Sequence, residues 1–157
     1  MRIKEILLDK FISTRLFEMA ADRHTAKNKV SSLSPQIFDH LLKIWVLDIP
    51  QSSPHWRAEI NAWLNQIDKI YLKTTKKKIS YTDLYNWMII DASPHYCEEY
   101  IDHTVKKWIK TDYSNSSVRE YDANVVLNQI LDVINKVCKD ISINNFFSIN
   151  DYLEIKS

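Results

Sequence analysis

The residues best suited to metal chemistry are His95, Glu99 and His103, which are spaced at intervals of four. This spacing places all three on one face of a helix. The first and last lie about 12 Å apart along a helix axis, so one ion cannot be bound by all three. Glu99 and His103 could share an ion if another helix supplied further ligands, such as Asp91 or Glu120.

Other metal signatures are absent from the sequence. The chain has no HExxH, no paired CxxC and none of the Glu-x-x-His pairs of di-iron bundles. We therefore expect no metal and no cofactor, and we keep Glu99 and His103 as the runner-up site.

Cys97 is the better of two cysteines for nucleophilic catalysis, because His95 is only two residues away. Residues two apart on a helix do not face each other, however, so His95 is a poor base for this thiol. Cys97 and Cys138 both lie among apolar residues, which is typical of buried free thiols in a reducing compartment. We expect a cytoplasmic protein.

The chain contains no glycine, whereas average usage of about 7% would give roughly eleven. Phosphate-binding loops, dinucleotide fingerprints and glycine-flanked nucleophile elbows all need glycine for tight turns or close backbone approach. These classes of enzyme are therefore excluded. The lack of catalytic motifs favours a protein without enzymatic activity.

Length and composition indicate one globular domain, residues 1–157. Hydrophobic residues make up 45% of the chain and charged residues 26%, which is ordinary for a soluble domain. The net charge of +1 lacks the basic excess of most nucleic-acid-binding domains, so a nucleic-acid partner is not expected. No apolar run approaches the roughly 18 residues that span a bilayer, so no membrane is expected either.

The elements that must position these residues are helices, because apolar residues recur at intervals of three and four. We expect an all-α bundle of about six amphipathic helices in antiparallel hairpins, followed by a short C-terminal helix. The first helix is predicted over 3–21, with a polar loop after it. Later helix starts, read from capping residues, are Ser34, Ser53, Ser80 with Asp83, Ser93, Ser117 with Glu120, and Ser148 with Asp151.

Three of these starts share a Ser-Pro pair: "SPQI" at Ser34, "SPHW" at Ser53 and "SPHY" at Ser93. Serine is a good N-cap, and proline fits the first helical position. The forty-residue offset between the two "SPH" stretches also resembles the period of HEAT-type repeats. The apolar stripes of the two forty-residue segments slip by one residue, so we favour independent helix starts over a duplicated unit. Because "SPQI" has glutamine in place of histidine, we also favour a repeated start signal over a duplicated catalytic element.

One stretch resembles a known family. "HLLKIWVLDIPQSSPHWRAEI", residues 40–60, looks like the middle of the bacterial family called domain of unknown function 29. That family has a similar His-Leu-Leu-Lys helix, a break, and a Trp-Arg helix start. The resemblance implies an all-α fold and carries no catalytic motif, and the outer thirds of the chain do not follow the family pattern.

Five tryptophans and eight tyrosines are many for a small helical protein. Trp45, Ile49 and Trp56 flank the predicted turn between the second and third helices, and aromatic residues often anchor protein interfaces. We expect these three to form a patch that binds another protein, with the chain acting as an inhibitor, immunity or adaptor protein. The alternative is a metal-dependent or nucleic-acid-acting helical enzyme that uses Glu99 and His103.

Overall fold

The protein is all-α. The structure, a computed structural model, describes residues 3–74 and 79–153, with side chains at 23–72 and 79–153. Within these ranges it has five α-helices and no strand. They are α1 (Ile3–Val46), α2 (Ser53–Thr74), α3 (Tyr81–Tyr85), α4 (Glu98–Thr111) and α5 (Ala123–Ser142). A π-helical turn follows α3 (Asn86–Ile90), and 3-10 turns span Asn115–Ser117 and Ile149–Tyr152.

Helix α1 is continuous, so the loop expected after residue 21 and the helix start expected at Ser34 are both wrong. Ser34 and Pro35 lie inside α1. The apolar side chains of the helix predicted over 3–21 lie outside the described residues. The apolar series that continues the helix consists of Ala26, Val30, Leu33 and Ile37, all buried.

Energetics explain why the helix passes through its proline. A proline inside a helix costs about 3 kcal/mol or more, because it removes one hydrogen bond and crowds the preceding turn. Burial of each side chain the size of Val30, Leu33 or Ile37 contributes about 1.5–3 kcal/mol. The burial of three such side chains stabilises the helix by more than one proline destabilises it, so the helix continues through Pro35.

Ser34 makes tertiary contacts instead of capping a helix. Its hydroxyl donates to the Met88 carbonyl, and its oxygen lies 3.1 Å from the Tyr96 hydroxyl. One turn earlier, the Ser31 hydroxyl donates to the Trp87 carbonyl at 3.1 Å. Ser31 and Ser34 of α1 therefore bind the π-helical turn and the segment after it.

The predicted helix start at Ser93 is also wrong. Helix α4 begins at Glu98, residues 91–97 have no regular structure, and the Ser93–Pro94 peptide is cis. Tyr96 is buried and stacks on Phe38, with ring centroids 4.0 Å apart. This contact holds Tyr96 against α1, and the two "SPH" stretches therefore adopt different structures.

The last long helix was predicted to start at Ser117, five residues before the residue that caps it in the structure. Helix α5 begins at Ala123, and the Asp122 carboxylate caps it. Backbone hydrogen bonds hold the preceding segment elsewhere. The Asp48 amide donates to the Ser117 carbonyl at 2.6 Å, and the Arg119 amide donates to the Val46 carbonyl at 2.8 Å.

Three other predicted starts are confirmed. Helix α2 begins at Ser53, and α3 has the predicted capping box between Ser80 and Asp83. Ser148 caps the last 3-10 turn through its hydroxyl.

The core lies between α1, α2 and α5 and is closed by the shorter elements. Helices α1 and α2 form the predicted hairpin, joined by residues 47–52, and make the most extensive pairing of elements. The buried apolar side chains form one continuous cluster. Phe146 joins this cluster, whereas Phe147 is 77% exposed. The assignment of residues 1–157 to a single domain stays a prediction.

Candidate protein-binding groove

A groove with a volume of about 830 Å3 lies where the α1–α2 turn, α5 and the C-terminal 3-10 turn meet. We call it the Trp45 groove. Its apolar lining includes Ile44, Trp45, Ile49, Trp56, Val133 and Leu153, and its charged lining is Arg57, Arg119, Asp132 and Lys136. The groove therefore combines an apolar floor with a mainly cationic edge.

All three residues of the predicted patch line this groove. Trp45 and Ile49 are half-buried and present part of their surface to solvent. Trp56 is only 5% exposed, so it supports the groove from below and offers little contact area. The sequence signal was their position around one helix-helix turn, and the structure places all three in the lining of one groove.

Trp56 is held in place by a cation and a second ring. The Lys43 ammonium lies 5.9 Å from the centre of the Trp56 ring, 5.5 Å from that of Trp108 and 5.9 Å from that of Tyr113. The Trp56 and Tyr113 rings also meet edge to face, with centroids 6.5 Å apart. Cation–π contacts of this kind contribute about 0.5–2 kcal/mol each, which favours this orientation of the Trp56 ring.

Arg119 reaches the groove edge because its backbone pairs with the end of α1. Val118 bridges to Leu47, and the Arg119 guanidinium lies 3.3 Å from the Asp48 carboxylate. On α5, Lys136 lies 2.9 Å from Asp132, one helical turn earlier. Both ion pairs are solvent-exposed and therefore add little to stability.

Arg57 differs from these cations in its partners. Its Nε donates to the Ser53 hydroxyl at 3.2 Å, and one terminal nitrogen donates to the Asn150 side-chain oxygen at 3.1 Å. No carboxylate of the described residues forms an ion pair with it. Sequence reasoning missed Arg57, because Asn150 is 93 residues away along the chain.

A smaller depression of about 300 Å3 adjoins the groove at Pro54 and Arg57, which line both. Its other lining residues are Ala58, Asn61 and Asn150. The guanidinium of Arg57 therefore lies on the boundary between the two depressions.

A second polar cluster, also missed from the sequence, joins α1 to α2. Glu59 accepts a hydrogen bond from the Nε2 atom of His40, and its other carboxylate oxygen lies 2.6 Å from the Nε2 atom of His55. Burial lowers the pKa of His40, and the hydrogen bond to Glu59 opposes that effect. From the sequence, only His55 and Glu59 could be grouped, because residues four apart on one helix are neighbours.

The runner-up residues Glu99 and His103 lie in the first two turns of α4, and both are exposed. Hydrogen bonding to its own backbone N–H and to Cys97 lowers the pKa of Glu99. In the part of the chain that the structure describes, no three His, Cys, Asp or Glu side chains are grouped to hold a metal ion. Asp91 and Glu120 therefore do not complete a site with this pair.

Compared with family models, curated proteins and solved structures, the chain matches none of them. The resemblance of residues 40–60 to domain of unknown function 29 is therefore unsupported. The helices within the described ranges include none with an apolar stretch sufficient to span a membrane.

Proposed function

We propose that this protein is a non-enzymatic binding module that recognises another protein through the Trp45 groove. The observation that supports this proposal is that Trp45 and Ile49, both partly exposed, line the same groove as the buried Trp56. Tryptophan and arginine are the residues most enriched at energetic centres of protein interfaces. A role as an inhibitor, immunity or adaptor protein fits such a module.

The alternative is a metal-dependent or nucleic-acid-acting enzyme that uses Glu99 and His103. That activity would need further ligands, and the described residues group none with this pair. We prefer the binding module, because more observations support it. A cytoplasmic location belongs to the same proposal, because both cysteines are free thiols.

The test is selection of linear peptides from a phage-displayed library on the wild-type protein, followed by binding measurements with Trp45→Ala. We expect the selected peptides to bind the variant at least tenfold more weakly, as loss of an interface tryptophan costs about 2 kcal/mol or more. Trp56→Ala is unsuitable as the probe, since truncation of a buried tryptophan costs about 3–5 kcal/mol of stability.

Phe147→Ala is the matched control, because Phe147 is an exposed aromatic residue that does not line the groove. It should leave peptide affinity unchanged. If Trp45→Ala keeps its fold by circular dichroism and binds the peptides as tightly as wild type, the proposed function is wrong.

A further inference from the structure

We infer that the Trp45 groove takes a linear acidic peptide, with an apolar side chain against Trp45 and Ile49 and a carboxylate bound by Arg57. This inference rests on the proposed function and specifies the chemistry of the partner. It follows from the hydrogen bonds, the charge balance and the position of Arg57.

The guanidinium of Arg57 is oriented before any ligand arrives. Its hydrogen bonds to Ser53 and Asn150 use two of five N–H donors, and both acceptors are neutral. The other N–H groups remain available for a carboxylate. Charge-assisted hydrogen bonds from arginine are roughly twice as strong as neutral ones, and a held side chain loses less entropy on binding.

The charge balance of the groove favours an anion at this position. Arg119 is matched by Asp48 at 3.3 Å, and Lys136 is matched by Asp132 at 2.9 Å. Arg57 is the lining cation without an ion pair among the described residues. A partner with a carboxylate there would complete the pairing, whereas a partner with a basic residue there would meet the unpaired cation of Arg57.

Arg57 lies where one peptide can contact both the apolar residues of the groove and a cation. It lines both the Trp45 groove and the adjoining depression at Pro54. A peptide that places an apolar side chain beside Trp45 and continues into the smaller depression must pass the guanidinium. An acidic residue shortly before or after the apolar one would meet it.

The experiment uses the peptides selected on the full chain and, for each acidic residue, a version with Asp→Asn or Glu→Gln. Fluorescence polarisation gives Kd for both versions on wild type, Arg57→Gln and Arg57→Lys. We expect Arg57→Gln and peptide neutralisation each to weaken binding about tenfold, and the two together to cost little more than one. Arg57→Lys should recover only part of the loss, because lysine lacks the planar fork.

Arg119→Gln is the matched control and should change Kd less than Arg57→Gln does. The inference is overturned if Arg57→Gln, folded by circular dichroism, binds acidic and neutralised peptides as wild type does. It is also overturned if a labelled single-stranded DNA oligonucleotide binds more tightly than the peptides in an Arg57-dependent way. In either case, loss of peptide binding in Trp45→Ala would still support the proposed function.

Discussion

At the scale of single residues, His40 shows how burial and an ion-pair partner oppose each other. Its ring hydrogen-bonds to Glu59 of α2, and it meets Trp63 edge to face with centroids 4.7 Å apart. Burial is the largest influence and lowers the pKa of His40 below 6.5, despite the carboxylate. The folded protein therefore favours a neutral ring at this position.

This lowered pKa predicts a stability that falls in mild acid. Below about pH 6.5 the unfolded chain takes up a proton on residue 40 before the folded protein does, which decreases the free energy of unfolding. Above that pH the contribution is complete and constant. His40→Gln keeps an N–H donor for Glu59 but cannot titrate, so its stability should fall less between about pH 8 and pH 5.

Urea unfolding at a series of pH values measures this difference. Asn65→Ala, an exposed substitution that removes no titratable group, is the control and should give a curve parallel to that of wild type. Parallel curves for His40→Gln and wild type would contradict the assignment.

The candidate site could be predicted from sequence only in part, for reasons visible in single residues. Trp45, Ile49 and Trp56 flank one turn, so short-range spacing was enough to group them. Arg57 and His40 depend on contacts with Asn150 and Glu59, on other elements. A periodic pattern contains no information about such long-range pairs.

At the scale of elements, the all-α fold class was predictable, because apolar residues recur at intervals of three and four. Several of the helix ends were not predictable in this way. A serine followed by proline signals a start only if no apolar series runs through it. At Ser34 the series continues, and at Ser93 a buried aromatic residue holds the chain away from helix. At Ser53 and Ser80 neither influence acts, and the predicted starts are confirmed.

The start of α5 gives a direct test of capping. The Asp122 carboxylate accepts from the amides of Asn124 at 2.9 Å and Val125 at 3.2 Å. Asp122→Ala should lower the free energy of unfolding by about 1 kcal/mol, and Asp122→Asn should retain most of it. Denaturant midpoints measure the effect. Ser117→Ala, at the start suggested by sequence, is the control, and a larger loss there would mean that the cap is misassigned.

At the scale of the whole molecule, the groove depends on segments that lie far apart along the chain. Its floor comes from the α1–α2 turn, while Tyr152 and Leu153 supply a wall. The Tyr152 hydroxyl donates to the Asp140 carboxylate, and its ring stacks on Phe146 with centroids 6.2 Å apart. The C-terminal turn therefore packs on α5 and completes the groove.

Asn61 is the link between that turn and α2. Its side-chain oxygen accepts from the Ile149 amide at 2.7 Å, and its side-chain nitrogen donates to the Ser148 hydroxyl at 3.2 Å. Asn61→Ala leaves the partly buried amide of Ile149 without an acceptor, which costs about 1–3 kcal/mol. Amide hydrogen exchange at Ile149 should accelerate, the free energy of unfolding should decrease, and peptides bound in the Trp45 groove should dissociate faster.

Asn65→Ala is the matched control, because Asn65 lies one turn further along α2 and is exposed. It should leave both exchange at Ile149 and peptide dissociation unchanged. If Asn61→Ala accelerates exchange without affecting peptide binding, the C-terminal turn stabilises the fold but does not shape the groove. Equal exchange in Asn61→Ala and wild type would contradict the hydrogen bond itself.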